Sequence, residues 1–294
     1  MDRLVIIGNG FDRAHNLPTS YYDFKEYLRI YAREFYEAIC KYIPEEELWF
    51  QFEMALGELD KYQVQEENAS YYLDYGDENW KDSANHDFQF MVEQDLAFAS
   101  YIPYYFKKWI EQIDTNVLPL VSKRIINNTC KILNFNYTDT LERAYKVPAE
   151  NILYIHGKAL SSKKLVVGHH DISTFQYGAE EHGIYIQDDD EDFRITETKE
   201  IIKAYFQKTY KDTFGIIQMN QNFFDSLINI NEIFILGHSL SSVDMDYFVE
   251  IRKRVLHSCK WYISYFSESD LDNMEYFAKR LDIKNFQPVM LSNL

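Results

Sequence analysis

A chain of 294 residues is long enough to bury a sizeable core, as one large α/β domain or two small ones. Its formal charge of −17 argues against direct nucleic-acid binding and against an anionic lipid surface, since long-range repulsion opposes each encounter, but a small anionic ligand can still bind locally. Cys40, Cys130 and Cys259 are widely separated and form no CxxC pair, which excludes a zinc ribbon or disulfide framework and fits a reducing cytoplasm.

The first element is Leu4-Val5-Ile6-Ile7, an apolar run suited to a strand buried on both faces, closed by Gly8-Asn9-Gly10. A helix starting near Phe11 or Asp12 would point its N-terminus over the strand's carboxyl edge, a common phosphate position. Gly8 and Gly10 match the first two glycines of a dinucleotide fingerprint, but Arg13 takes the third place and no P-loop Gly-Lys-Ser/Thr occurs, so a structural turn without ligand is the competing reading. The chain enters this strand with no basic-apolar leader, and no run approaches the roughly 18 apolar residues of a membrane helix, so a soluble, cytoplasmic protein is expected. Ser20 can cap a helix through Tyr21, Phe24, Leu28 and Tyr31, continuing to Tyr42 before Pro44. From 45 to 121 the pattern is helical, interrupted by a polar loop from Glu66 to Asp87, and reads as an insertion. With 24 Tyr and 21 Phe, many rings are expected at half-buried helix faces or cleft walls.

Strand signals return at Cys130–Phe135, Ile152–His156 and Lys164–Gly168. Residues 171–227 form a second insertion, with helices near Thr198–Thr209 and Phe214–Asn229 and an acidic run, Asp188–Asp192, read as solvated surface with no metal role. Glu232–Leu236 and Trp261–Phe266 are further strands, and helices follow through Tyr247–Val255 and Met274–Leu281. The expectation is a single Rossmann-like α/β domain over 1–294 with a mostly parallel sheet, its core segments 1–44, 122–170 and 228–294.

Four polar stations stand at strand ends: Gly8-Asn9-Gly10, Asn134-Phe135-Asn136-Tyr137-Thr138, His156-Gly157 and Gly237-His238-Ser239. Taken singly, Asn136 reads as a turn residue and His156 as a satisfied core histidine. Asp139 and Glu142 fall in a first helical turn, where they serve the dipole. Ser239 is followed by Leu240-Ser241 and lacks a Gly-x-Ser-x-Gly elbow, which counts against a hydrolase triad.

Gly8-Asn9-Gly10-Phe11-Asp12, Leu17-Pro18-Thr19-Ser20-Tyr21, Asp23-Phe24, Trp49 with Phe52-Glu53, Asn134 to Glu142, Tyr154-Ile155-His156-Gly157 and Ile235 to Ser239 resemble the AbiH family of phage abortive-infection proteins over nearly the whole chain. The same stations are remotely similar to sirtuin-like NAD-binding proteins. That resemblance implies NAD as substrate or ligand, and a nucleotide-binding set of Gly8, Asn9, Gly10, Phe11, Asp12, Thr19, Asp23, Phe24, Tyr137, Gly237, His238 and Ser239. It implies Asn136 and His156 as catalytic residues. Asn134 replaces the sirtuin loop's Thr, Thr138 its Asp, Lys25 an Arg and Asn9 the small central turn residue. The absent four-Cys zinc module argues against deacylation and leaves nucleotide cleavage or binding. Cleavage at the nicotinamide ribose expels a neutral leaving group, so orientation, a dry cleft and a base suffice: Asn136 to hold ribose hydroxyls or water, His156 to take a proton. The resemblance also implies a phage-derived trigger and control by self-association as a homo-oligomer. The alternative is a non-catalytic nucleotide sensor acting through a partner; a nuclease is disfavoured by the acidic charge.

Overall fold

The computed structural model describes residues 3–176 and 192–294. The chain divides into two compact units, Met1–Phe24 with Phe106–Val166 and Asp212–Leu294, and Lys25–Tyr105 with Val167–Lys211.

The first unit is built on six parallel strands: β1 Arg3–Ile7, β2 Lys131–Asn134, β3 Ile152–Tyr154, β4 Glu232–Leu236, β5 Lys260–Tyr265 and β6 Phe286–Met290, in the order β3-β2-β1-β4-β5-β6. Continuous aliphatic runs suit this arrangement because both faces are covered. Leu4, Ile6, Leu133, Ile233, Ile235 and Ile263 pack on one face with Tyr247, Phe248, Ile251 and Phe277 from the helices Met245–Arg254 and Glu268–Arg280. Val5, Ile7, Ile132, Phe234 and Leu236 pack on the other with Phe11, Leu141 and Tyr145. Burying each such side chain contributes roughly 1.5–3 kcal/mol, so the two central strands, β1 and β4, hold the unit together. Ile7 lies opposite both Asn134 and Leu236, which sets the residues following β1, β2 and β4 at one level along the carboxyl edge. The strand order reverses between β1 and β4, the position where doubly wound sheets open a crevice for ligands.

The second unit is helical, with Arg33–Tyr42, Glu45–Phe50, Phe52–Ala55, Lys61–Asn68, Ala84–Leu96 and Phe193–Lys208. Trp49 stacks on Phe52, and Glu53 meets the Nζ of fully buried Lys211. Asp192 caps the helix Phe193–Lys208 and pairs at 2.6 Å with Arg194, whose guanidinium lies over Tyr72 and Tyr75 and donates to the Leu73 carbonyl. This end of the acidic run is therefore paired with a buried arginine; Asp188–Glu191 lie outside the described residues.

Three expectations are corrected. Lys164–Gly168 is not a strand: Val166 donates from its N–H to the His156 carbonyl and accepts the Tyr137 hydroxyl at 2.8 Å, so it folds over the loop beyond β3. β6 carries Pro288 and is mostly exposed, which hid it from apolar patterning; an edge strand tolerates a residue without an N–H. The helix expected from Tyr21 to Tyr42 is two, Tyr21–Tyr31 and Arg33–Tyr42, parted at Ala32 with φ −149°.

Gly237 has φ +65°, and a Cβ there would lie 2.0 Å from the Phe11 nitrogen. Gly237→Ala is expected to lower stability by about 3 kcal/mol or more, from left-handed strain plus backbone clash. Gly76→Ala, with open space around it, is expected to be near neutral. Paired denaturant titrations check this; equal midpoints would contradict it.

Candidate functional site

The turn after β1 is closed by the strand beside it. Gly8 donates to the Leu236 carbonyl at 3.0 Å, Gly10 to the Gly237 carbonyl at 2.7 Å and Phe11 back to Gly8 at 3.0 Å. Three N–H groups that a phosphate would need are thus already bonded, and the helix that follows, Asn9–Ala14, is only six residues long. Gly237 in turn donates to the Ser264 hydroxyl at 2.7 Å. Asn9 is exposed and donates to the Thr19 carbonyl at 2.7 Å. Phe11 and Phe24 are core rings, the first against His15 and Tyr145, the second against Phe106 and Trp109. Asp23 accepts from the Ser20 N–H at 2.9 Å and so braces the start of its own helix. Ser239 is exposed.

The remaining stations form two buried polar clusters at the carboxyl edge. The first gathers around Asp12, which is 1% exposed. Its Oδ2 accepts the Thr138 hydroxyl at 2.6 Å, and Thr138 is 3.1 Å from the Thr140 hydroxyl. Asn136, oriented by its N–H bond to Asn134 Oδ1 at 3.0 Å, approaches the same carboxylate. Asp12 Oδ1, Asn136 Nδ2 and Thr19 Oγ1 are buried without a hydrogen-bond partner. Burial pushes Asp12 up to about 6, although Thr138, Thr140 and Asn136 favour its charged form. Close by, His15 Nδ1 donates to the Phe11 carbonyl at 2.7 Å, so its Nε2 accepts the Tyr145 hydroxyl at 2.8 Å. The Tyr145 oxygen accepts the N–H groups of Leu120 and Val121, and burial holds His15 below its ordinary pKa, in keeping with a neutral ring.

The second cluster lies among the rings of the opposite core. His156 Nε2 is 3.6 Å from Asp244 Oδ1, and His238 Nε2 is 3.5 Å from Asp244 Oδ2. Phe135, at the end of β2, sets its edge or face within 5.3 Å of His156 and 4.5 Å of His238. Tyr137 lies 6.2 Å from His156. Asn136 and His156 thus stand at one sheet edge but belong to different clusters, one around Asp12 and one around Asp244. Asp244, Thr140 and the His15–Tyr145 pair were not singled out from sequence. An acid at a helix start reads as a dipole residue, and only the fold reveals that Asp244 faces two imidazoles.

Among the described residues, no group of three or more His, Cys, Asp or Glu is arranged to hold a metal ion, and no helix is long and apolar enough to cross a membrane. The fold and its polar edge define a doubly wound, all-parallel α/β protein with buried acid, amide and imidazole groups at the strand ends. The chain belongs to the family described as bacteriophage abortive infection AbiH, whose model matches residues 4–265. The family implies a role in phage abortive infection. No curated protein and no solved structure matches the chain.

Asp12 titrates near 6 when folded against 3.8 ordinarily, so its contribution to stability is complete below pH 3.8 and is lost as pH rises through 6. Asp12→Asn is therefore expected to match the parent at pH 4 and to exceed it by roughly 2–3 kcal/mol at pH 7.5. Urea midpoints of the two proteins across this range check it; parallel curves would contradict it.

Proposed function

We propose that this protein is an abortive-infection effector that binds a nucleotide, NAD first among candidates, and hydrolyses it at the nicotinamide–ribose bond when infection triggers it. The observation that supports the reading is that Asp12 with Asn136 in one cluster, and His156 in another, stand at the carboxyl edge of a sheet whose order reverses between β1 and β4. The resemblance of the same stations to sirtuin-like proteins supports NAD over other nucleotides. In this reading Asn136 orients a ribose hydroxyl or the attacking water, and His156 takes the proton that the water loses. Asp12, titrating near neutrality, accepts from the sugar hydroxyls and steadies its developing positive charge. Nicotinamide departs as a neutral molecule, so no group has to protonate it. A phage-derived trigger and self-association are the proposed controls.

A second reading, a nucleotide sensor without turnover, is favoured by the closed glycine turn. With the N–H groups of Gly8, Gly10 and Phe11 bonded inside the protein, a diphosphate finds fewer donors than hydrolysis of a firmly held substrate requires.

Purified protein mixed with NAD is expected to release nicotinamide, and Asn136→Ala and His156→Ala to lower the rate by about 100-fold or more each. Binding without release would select the sensor. Neither binding nor release would end both readings.

A further inference from the structure

We infer that the loop from Gly157 to Leu165 is an anion clamp, in which the Lys163 and Lys164 ammonium groups receive the diphosphate of a nucleotide. It rests on the reading above in taking the ligand for a nucleotide; hydrolysis of that ligand is not needed.

The charge of the chain is unevenly spread. Against a formal −17 for the whole, residues 106–166 carry ten Lys and Arg and five Asp and Glu, a formal +5, and no acid stands between Glu150 and Asp171. An anion repelled by the chain's overall charge is drawn to this stretch once it comes within a screening length, roughly 8 Å at physiological salt. The glycine turn after β1 is poorly placed to share the task, because the N–H groups of Gly8, Gly10 and Phe11 are bonded within the protein.

The loop is shaped by its own bonds. Gly157 begins it at φ +90°, and a Cβ there would lie 3.3 Å from the Lys164 carbonyl, so the two ends of the loop close against each other next to His156. Val166 donates its N–H to the His156 carbonyl at 2.9 Å, and Ala159 donates to the Tyr137 carbonyl at 2.9 Å, which ties the loop to the residue that follows Asn136. Within it, the Ser161 hydroxyl donates to the Lys158 carbonyl at 2.8 Å and accepts the Lys163 N–H at 3.3 Å. Lys107 holds the tip from outside, its Nζ donating to the Ser161 carbonyl. Little backbone order is left to impose on binding, which favours affinity.

The three lysines of the loop are not equivalent. Lys158 Nζ lies 2.7 Å from Glu142 Oε2, so its charge is already matched. Lys163 and Lys164 are exposed, and neither side chain makes a hydrogen bond or ion pair among the described residues. Each ammonium offers three donors and meets a phosphate as a point charge, and two of them match the two negative charges of a diphosphate ester.

Calorimetry on the full chain, with ADP-ribose and inorganic pyrophosphate as separate probes, tests the clamp. The double variant Lys163→Ala with Lys164→Ala is expected to bind both probes roughly 10- to 30-fold more weakly than the parent, by a margin that narrows as salt is raised. Lys279→Ala with Lys284→Ala removes the same charge from elsewhere on the surface and is expected to leave affinity within about twofold. Equal affinity in parent and loop variant, equal losses in the two double variants, or a parent that holds neither probe would overturn the inference. Nicotinamide release from NAD on the same samples separates the claims. Probes held through the two lysines without release would retire hydrolysis and leave the clamp; release with affinities indifferent to the lysines would retire the clamp and leave hydrolysis.

Discussion

The carboxyl ends of β1 and β4 touch backbone to backbone, and the arrangement of the whole polar edge depends on that contact. Gly8, Gly10 and Gly237 remove the side chains that would separate the two turns; a Cβ on Gly8 would lie 2.5 Å from the His238 Cα. The close approach delivers three results together. It bonds the N–H groups of the turn, it starts the helix Asn9–Ala14 at the height that carries Asp12 to Thr138, and it turns the chain after Gly237 so that His238 reaches Asp244. Glycines that read as a phosphate cradle thus have a prior duty as a seam between the halves of the sheet.

On either side of that seam stands an acid of low exposure, and the two sit in different surroundings. Asp12 accepts the Thr138 hydroxyl, with Thr140 and Asn136 nearby, which offsets only part of the desolvation, so burial pushes it up to about 6. Asp12 is thereby poised to change protonation near pH 6. Asp244 faces the His156 ring at 3.6 Å and the His238 ring at 3.5 Å, from the loops beyond β3 and β4. Phe135 and Asn136, consecutive in sequence, serve the opposite faces: the ring wedges between the histidines and the amide turns to Asp12.

The sheet was legible because its central strands are continuous aliphatic runs followed by glycine or asparagine, a signal that survives without any partner in view. Edge pieces were not. Pro288 masks β6, and Leu165-Val166-Val167 imitates a strand while its bonds go to the His156 loop. Of the site, the residue types at strand ends were readable, but their partnership was not. Nothing in Ser241-Ser242-Val243-Asp244 distinguishes an acid that serves the helix dipole from one that faces two histidines 6 and 88 residues away. Phe11 and Phe24 sit beside polar motif residues in sequence, yet both are fully buried rings, because each lies on the core-facing side of a helix.

The burial of these groups bears on the proposed reading. Asp12, Asn136 and His156 are 1%, 5% and 2% exposed, so a substrate reaches them only if side chains or loops at the sheet edge give way. A form that is open one time in a hundred lowers apparent affinity a hundredfold, and a trigger that binds only the open form restores it without touching the chemistry. The seam at Gly8, Gly10 and Gly237 is a poor candidate for that movement, since its backbone bonds lie between the two central strands.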